Sequence, residues 1–497
     1  MSRTARWLCL SIAFNLFVTA LHAAGPGDDE KARLENLEFR AAICAHHICS
    51  GMWVVGRNYH RTPEEVIAQD IAPFKYFGWS PDFKYEIDKE RHLVTVTAPG
   101  ATPRSARYTG DQGSTILPAG ETDVFFQPVN VPRNLPPAAE QPWPMGDIGA
   151  TDPVPGVDNE AVSDALDWAM EQEGYNTRGL VIAYQGKIIG ERYATGWTKD
   201  TPQLSWSEGK SITATLIGVL IQQGHLKLDQ PAPIQQWQAP EDPRRAITIR
   251  NLLNMSSGLD FTNLSFRGPE TLIAKNEHMR VYFDSLNVLD HAVNQPLALE
   301  PGTRYRYRNS DPLSLGRIIR DTVREQGTDY LTFPQKALFD KIGIRSAVLE
   351  TDPWGNFILS GYDYLSARDW TRFGLLYLND GIWQTERILP EGWTEFVGTA
   401  APGDPKKNYG GMFYVNQAPM LPRVPTDMYW SAGFMGQVTF VIPSREMVVV
   451  RLGPSGKSVY PYLDEVVSRV LNAVPERMKL PTETEHRAVA PSQGPGS

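Results

Sequence analysis

Hydrophobic and polar positions follow one pattern before about Asp158 and another after it. In the first part the spacing predicts a helix over 29–45 and a helical patch over 63–71. Short strands are expected over 85–87, 92–97 and 105–108, set apart by Gly and Pro. Residues 128–155 are Pro-rich and read as a linker. In the second part, 163–173 is spaced as an amphipathic helix, and 179–184 with 187–193 predict a hairpin about Gln185-Gly186. Helices are expected over 207–223, 247–255, 311–325, 330–341, 367–379 and 462–472. Strands are expected over 438–442 and 447–452, turning at Pro443-Ser444-Arg445-Glu446. This order predicts an α/β domain whose two chain ends share one antiparallel sheet flanked by helices, with an all-helical insertion between them. A small α+β region precedes it.

The extreme N-terminus has a different character. Arg3 and Arg6 precede an apolar run over 7–21 and then His22-Ala23-Ala24, the layout of a secretory signal cleaved at the end of 1–24. A retained anchor is the alternative, but a run of about 15 residues broken by Ser11, Asn15 and Thr19 falls short of the ~20 needed to span. The mature chain is therefore expected to be periplasmic or secreted, without a stable membrane span. Its expected parts are a small accessory region with linker over 30–150, a main domain over 151–476 and a disordered polar tail over 477–497. A length of 497 residues with 41% hydrophobic and 21% charged residues suits one large domain and a smaller one. The net charge of −9 comes without any dense Lys/Arg block, which argues against nucleic acid as a partner. Oligomeric state is not legible.

Of three cysteines, Cys9 lies in the signal. Cys44 and Cys49 remain as a disulfide candidate in an oxidising compartment. Two free thiols or a metal are the alternatives, although Cys44-Ala45-His46-His47-Ile48-Cys49 lacks a carboxylate and matches no common zinc spacing. No metal site is expected, and 30–150 offers no readable chemistry.

Chemistry concentrates after residue 200. Ser207-Glu208-Gly209-Lys210 opens an apolar helix and is the only Ser-x-x-Lys in the chain. Residues three apart share a helix face, so the Lys210 ammonium can lie beside the Ser207 hydroxyl. A helix start also favours developing negative charge. Together these form an activated nucleophile without histidine. The bland alternative is a serine cap followed by a solvated lysine. Tyr307-Arg308-Asn309 stands at a loop-to-helix junction, where catalytic groups are common. Tyr377-Leu378-Asn379 and Tyr414-Val415-Asn416 share its pattern, but they fall in a helix and a strand-like run, where a tyrosine is usually core. Lys210 is expected to lower the Tyr307 phenol from its reference pKa of ~10. Third, Trp430-Ser431-Ala432-Gly433-Phe434-Met435-Gly436-Gln437 leads into a strand, where Gly allows a backbone N–H to approach an oxyanion.

The order and spacing of these three pieces resemble the serine β-lactamase-like, penicillin-binding superfamily: class C β-lactamases, D-alanyl-D-alanine peptidases, esterases and 6-aminohexanoate-dimer hydrolases. The likeness runs over roughly 158–472 and includes the segments 247–259 and 365–376. It implies Ser207 as nucleophile, Lys210 as its proton partner and Tyr307 as general base. Asn309 would position substrate or Lys210. Ser431 and Gly433 would border the substrate, and the backbone N–H groups of Ser207 and Phe434 would form the oxyanion hole. It also implies an acyl-enzyme and no metal or organic cofactor. Where the family typically carries Lys-Thr-Gly, this chain has Ser431-Ala432-Gly433, so the cation that holds a substrate carboxylate is missing. Arg304 or Arg308 are candidates to replace it. The expectation is an exported serine hydrolase acting on a small ester, amide or peptide-like substrate. Alternatives are β-lactamase or D-alanyl-D-alanine carboxypeptidase activity, or a non-catalytic binder of peptidoglycan fragments.

Two Gly-Lys-Ser tripeptides, at 209–211 and 456–458, lack the upstream glycine of a phosphate loop, where Leu204 and Arg451 stand. Neither a Gly-x-Ser-x-Gly elbow nor a His-Glu-x-x-His motif occurs.

Overall fold

The computed structural model describes residues 26–58, 60–261 and 276–475. The expected signal peptide and polar tail lie outside the described residues. No described helix is long and apolar enough to cross a membrane.

The chain opens on helix α1 (Pro26–Trp53), eight residues longer than its predicted end. Every residue from Ala41 to Gly51 is buried, so the helix runs through the interior and shows no polar stripe to mark its extent. It packs on a four-stranded antiparallel sheet of β1 (Lys84–Asp88), β2 (Leu93–Thr97), β3 (Arg104–Tyr108) and β4 (Ser114–Ile116). The first three strands match the sequence pattern within a residue or two. β4 is too short to show one.

The disulfide expectation is overturned: Cys44 and Cys49 are free, buried thiols. Both lie on α1 five residues apart, about 140° around the helix and about 7.5 Å along it. A disulfide needs closer, facing Cβ atoms. Burial pushes the Cys44 thiol up to about 12. The described residues hold no cluster suited to a metal ion.

Helix α2 (Asn159–Glu171) and the hairpin of β5 (Gly179–Tyr184) and β6 (Lys187–Tyr193) begin the main domain. A short β7 (Gln203–Leu204) leads through a 3-10 turn at Trp206–Glu208 into α3 (Gly209–Gln222). The middle of the chain is helical, with α4 (Ile249–Leu253), α5 (Glu277–Phe283), α6 (Val288–Val293) and α7 (Ser310–Glu325). Strands β8 (Val348–Leu349) and β9 (Asp363–Leu365) pair with β7 in a three-stranded sheet, and α8 (Ala367–Leu378) follows. A small hairpin of β10 (Ile382–Trp383) and β11 (Glu386–Arg387) comes next. The chain closes on β12 (Tyr414–Val415), β13 (Tyr429–Gly433), β14 (Gln437–Ile442), β15 (Met447–Leu452) and α9 (Tyr460–Asn472).

The central sheet is antiparallel in the order β12-β13-β14-β15-β5-β6. β15 pairs with β5 from Met447↔Tyr184 to Leu452↔Gly179, so the two ends of the domain share one sheet as predicted. β5, β14 and β15 are buried along their whole length. Helices α2 and α9 cover one face, and α8 packs on the other.

One segment departs from its predicted form. Over 330–341 the helix is confined to 333–339 and is π-wound over Gln335–Phe339, with Pro334 in its first turn, where a missing N–H is tolerated. The segment before Pro301 carries α5 and α6, whose seven and six residues are too few for a clear period. Their signal is in their caps: Asn276 accepts from the Met279 N–H at 3.0 Å and Asn287 from the Asp290 N–H at 3.1 Å.

The N-terminal region is packed into the main domain. Glu350, just after β8, accepts from the Ser50 hydroxyl at 2.7 Å and the Ser114 N–H at 2.9 Å, and pairs with His46 Nε2 at 2.8 Å. The His46 ring stacks on Tyr362 at 4.2 Å, and Phe77 stacks on Trp206 at 6.1 Å.

Candidate active site

β7 ends against β9, where the Ser205 N–H donates to the Asp363 carbonyl at 2.9 Å. The chain then turns sharply. Trp206 takes φ 53, a left-handed conformation that a bulky residue adopts only when its surroundings enforce it. Those surroundings are the rings of Phe77, Tyr282, Tyr362 and Phe434. The turn delivers Ser207 to the head of α3 with its side chain partly exposed in a pocket of about 220 Å³.

One helical turn on, Lys210 is buried, with 1% of its surface exposed. Its Nζ donates to Ser207 Oγ at 3.0 Å and to the Ser360 carbonyl at 2.6 Å. Burial pulls Lys210 down to about 7, against the opposing pull of Asp363. A lysine paired this way can act as a base near neutrality.

Tyr307 lies on the loop before α7, and its ring centre is 5.0 Å from Lys210 Nζ. Its hydroxyl, like that of Tyr282, interacts with Ser207. The expectation that Lys210 would lower the Tyr307 phenol is overturned: burial raises it, and the Ser207 contact only partly offsets this. Desolvation of a phenolate outweighs the nearby amine, which is itself easily discharged.

The opposite wall is the end of β13. A Cβ on Gly433 would stand 1.9 Å from the Ser205 carbonyl oxygen, so only glycine lets this strand close on the turn that carries Ser207. Gly433 and Phe434 line the pocket, and Met435 turns left-handed at φ 60 just beyond. The remaining lining is His278, Met279, Tyr282, Tyr414, Ala432 and Tyr460, with Trp206 beside the serine.

A family model for Beta-lactamase matches residues 162–458, more than half of the chain and every residue lining this site except Tyr460. The chain belongs to the Beta-lactamase family. It is similar to 6-aminohexanoate-dimer hydrolase of Paenarthrobacter ureafaciens, 23% identical over 254 residues that make up 50% of this chain and 64% of that protein. The match thus spans less than two thirds of that relative's length. Among solved structures, a family VIII carboxylesterase is 15% identical, with TM-score 0.51, over 65% of this chain and 98% of its own. A beta-lactamase-like protein from Bacteroides dorei is 19% identical, with TM-score 0.50, over 62% and 98%. These likenesses establish the fold.

Within this Beta-lactamase family site the structure brings Ser207, Lys210, Tyr307, Gly433 and Phe434 together. Ser431 goes elsewhere: it is buried, and its hydroxyl donates to Glu208 Oε1 at 2.7 Å. Asn309 is also fully buried, and its amide donates to the His278 carbonyl at 2.9 Å and the Tyr282 hydroxyl at 3.1 Å. It thereby fixes Tyr282, whose own hydroxyl donates to the Ser360 carbonyl at 2.9 Å. Arg308 cannot supply the missing cation, because it is buried against the Arg306 and Leu259 carbonyls. Arg304 is exposed outside the pocket lining. No Lys or Arg lines the pocket among the described residues.

Sequence reasoning missed Tyr282 and His278, which arrive on the short α5, and it assigned Tyr414 to the core. Tyr414 is half-buried on edge strand β12 and faces the pocket. Its place at the edge of the sheet follows from pairing order, which no local pattern shows.

Proposed function

We propose that this chain is an exported serine hydrolase that cleaves neutral esters, and simple amides more slowly, through an acyl-enzyme on Ser207. The observation that carries this reading is the buried Lys210 amine 3.0 Å from Ser207 Oγ. With the amine neutral, the contact runs from hydroxyl to Nζ, and Lys210 takes the serine proton as Oγ attacks the carbonyl carbon. The oxyanion that forms faces the backbone N–H groups of Ser207 and Phe434. Tyr307, a phenol throughout, passes a proton to the leaving oxygen or nitrogen and is reprotonated from Lys210. A water then attacks the acyl-enzyme, Lys210 and Tyr307 repeat the transfer, and the acid leaves.

The pocket supports the substrate class. Its walls are mainly aromatic and carry no fixed cation, so they favour an apolar or aryl acyl group over one with a carboxylate. The relative named for 6-aminohexanoate dimers motivates including amides. The test is a p-nitrophenyl butyrate assay on wild type and Ser207→Ala. Turnover should be lost in the variant, and ordinary turnover by Ser207→Ala would remove Ser207 from the mechanism.

A further inference from the structure

No residue of the N-terminal region lines the active-site pocket among the described residues, yet that region ends one side chain away from it. His47, Val55 and Phe77 from the N-terminal region, with Leu204, Met435 and Pro454 from the main domain, wall a second cavity of about 50 Å³. The charged groups of its wall are paired with one another: Asp70 meets Arg61 at 2.6 Å and Arg178 at 2.5 Å. The Gln437 amide, also in the wall, donates to the Gly453 carbonyl at 3.0 Å.

Trp206 alone among the described residues lines both the cavity and the active-site pocket. On one side its ring centre lies 5.9 Å from that of His47 and 6.1 Å from that of Phe77, both in the cavity wall. On the other it lies 6.1 Å from Tyr282 and 5.6 Å from Phe434, both in the pocket wall. The indole therefore stands as the partition between the two spaces, on the residue directly before Ser207.

We infer that Trp206 is a specificity-determining residue: its indole closes the acyl side of the pocket and holds the enzyme to short acyl groups, and the N-terminal region supplies the closed chamber behind it. The inference rests on the reading in which Ser207 is acylated. A cavity of about 50 Å³ takes about four water-sized groups, so without the indole an acyl chain gains about four carbons of reach besides the space of the ring itself. One methylene admitted to or refused by an apolar pocket changes kcat/KM about tenfold or more.

The test is kcat/KM of the full chain for p-nitrophenyl butyrate, hexanoate, octanoate and decanoate. Wild type should turn over the octanoate at least about tenfold less efficiently than the butyrate. In Trp206→Gly, glycine takes the φ of 53 without strain, and the octanoate-to-butyrate ratio should rise at least about tenfold, whatever happens to the absolute rates. Val55 lines the cavity and not the pocket, so Val55→Phe refills the chamber from behind. Combined with Trp206→Gly it should return the ratio toward that of wild type, and by itself it should leave the ratio unchanged. Trp206→Phe, a smaller ring in the same place, serves if the glycine variant does not fold, and it should raise the ratio too. A folded Trp206→Gly enzyme slowed equally on every ester would show that the indole only braces the turn that carries Ser207, and would overturn the inference while leaving Ser207 as nucleophile. A wild type as efficient on the octanoate as on the butyrate would overturn it as well. Ordinary ester turnover by Ser207→Ala would instead remove the underlying reading, and this inference with it.

Discussion

Replacing Gly433 with alanine adds one methyl group at the closest approach in the site. That Cβ would stand 1.9 Å from the Ser205 carbonyl oxygen and 3.0 Å from the Ser205 carbonyl carbon. Both are backbone atoms, so no side chain can swing aside. Contact at about 3.2 Å requires β13 to retreat from the nucleophile turn by about 1 Å or more. Phe434 follows Gly433 directly, so the N–H proposed to face the oxyanion retreats with it. A misplacement near 1 Å costs about 10²-fold, and loss of one oxyanion donor costs about 10²–10³-fold. Gly433→Ala is therefore expected to lower kcat/KM for p-nitrophenyl butyrate at least 10²-fold, mostly through kcat. Gly456→Ala is the comparator, because a Cβ there meets nothing within 4 Å. It should leave the rate alone. A Gly433→Ala enzyme within about threefold of wild type, with unchanged Tm, would refute the assignment of this strand to the oxyanion.

Tyr307→Phe keeps the ring and removes the proton relay, so kcat should fall by about 10²–10⁴ with a smaller change in KM; an unchanged kcat would take Tyr307 out of proton transfer. Because Lys210 is pulled down to about 7 and must be neutral to act, kcat/KM should rise with pH through about 7 and fall about tenfold per unit well below it. A profile flat from pH 5 to 8 would contradict this. Glu350→Ala strips the partner from His46, Ser50 and the Ser114 N–H, and should lower unfolding free energy by about 3 kcal/mol in guanidinium titrations. A loss under about 1 kcal/mol would show that the N-terminal region is not clamped through this residue. With no cation in the pocket wall, nitrocefin should be turned over at least about 10²-fold less efficiently than the butyrate ester; comparable kcat/KM values would show that the substrate carboxylate is met by another group.

The sheet was legible because its strands are signalled twice, by apolar runs at 179–193 and 438–452 and by turn residues at Gln185-Gly186 and Pro443-Ser444. The meeting of Ser207, Lys210 and Tyr307 was legible because a three-residue spacing and a loop-to-helix junction are local facts. What escaped depends on three-dimensional neighbours. Ser431 and Asn309 lie beside motif residues in the chain, yet each spends its polar group on an interior partner, Glu208 or Tyr282. Tyr282 and Tyr414 reach the pocket from a seven-residue helix and a two-residue strand, lengths at which periodicity carries little information. The direction of the Tyr307 shift depends on how deeply the ring is buried.

The proposed reaction requires that Ser207 become covalently acylated with Lys210 as its base. A quenched burst with p-nitrophenyl butyrate, followed by intact-mass and peptide mapping, tests this directly. One butyryl group should appear on the peptide carrying Ser207 in wild type, and none in Ser207→Ala or Lys210→Met. Steady turnover with the adduct on another residue, or full acylation of Ser207 in Lys210→Met, would contradict it.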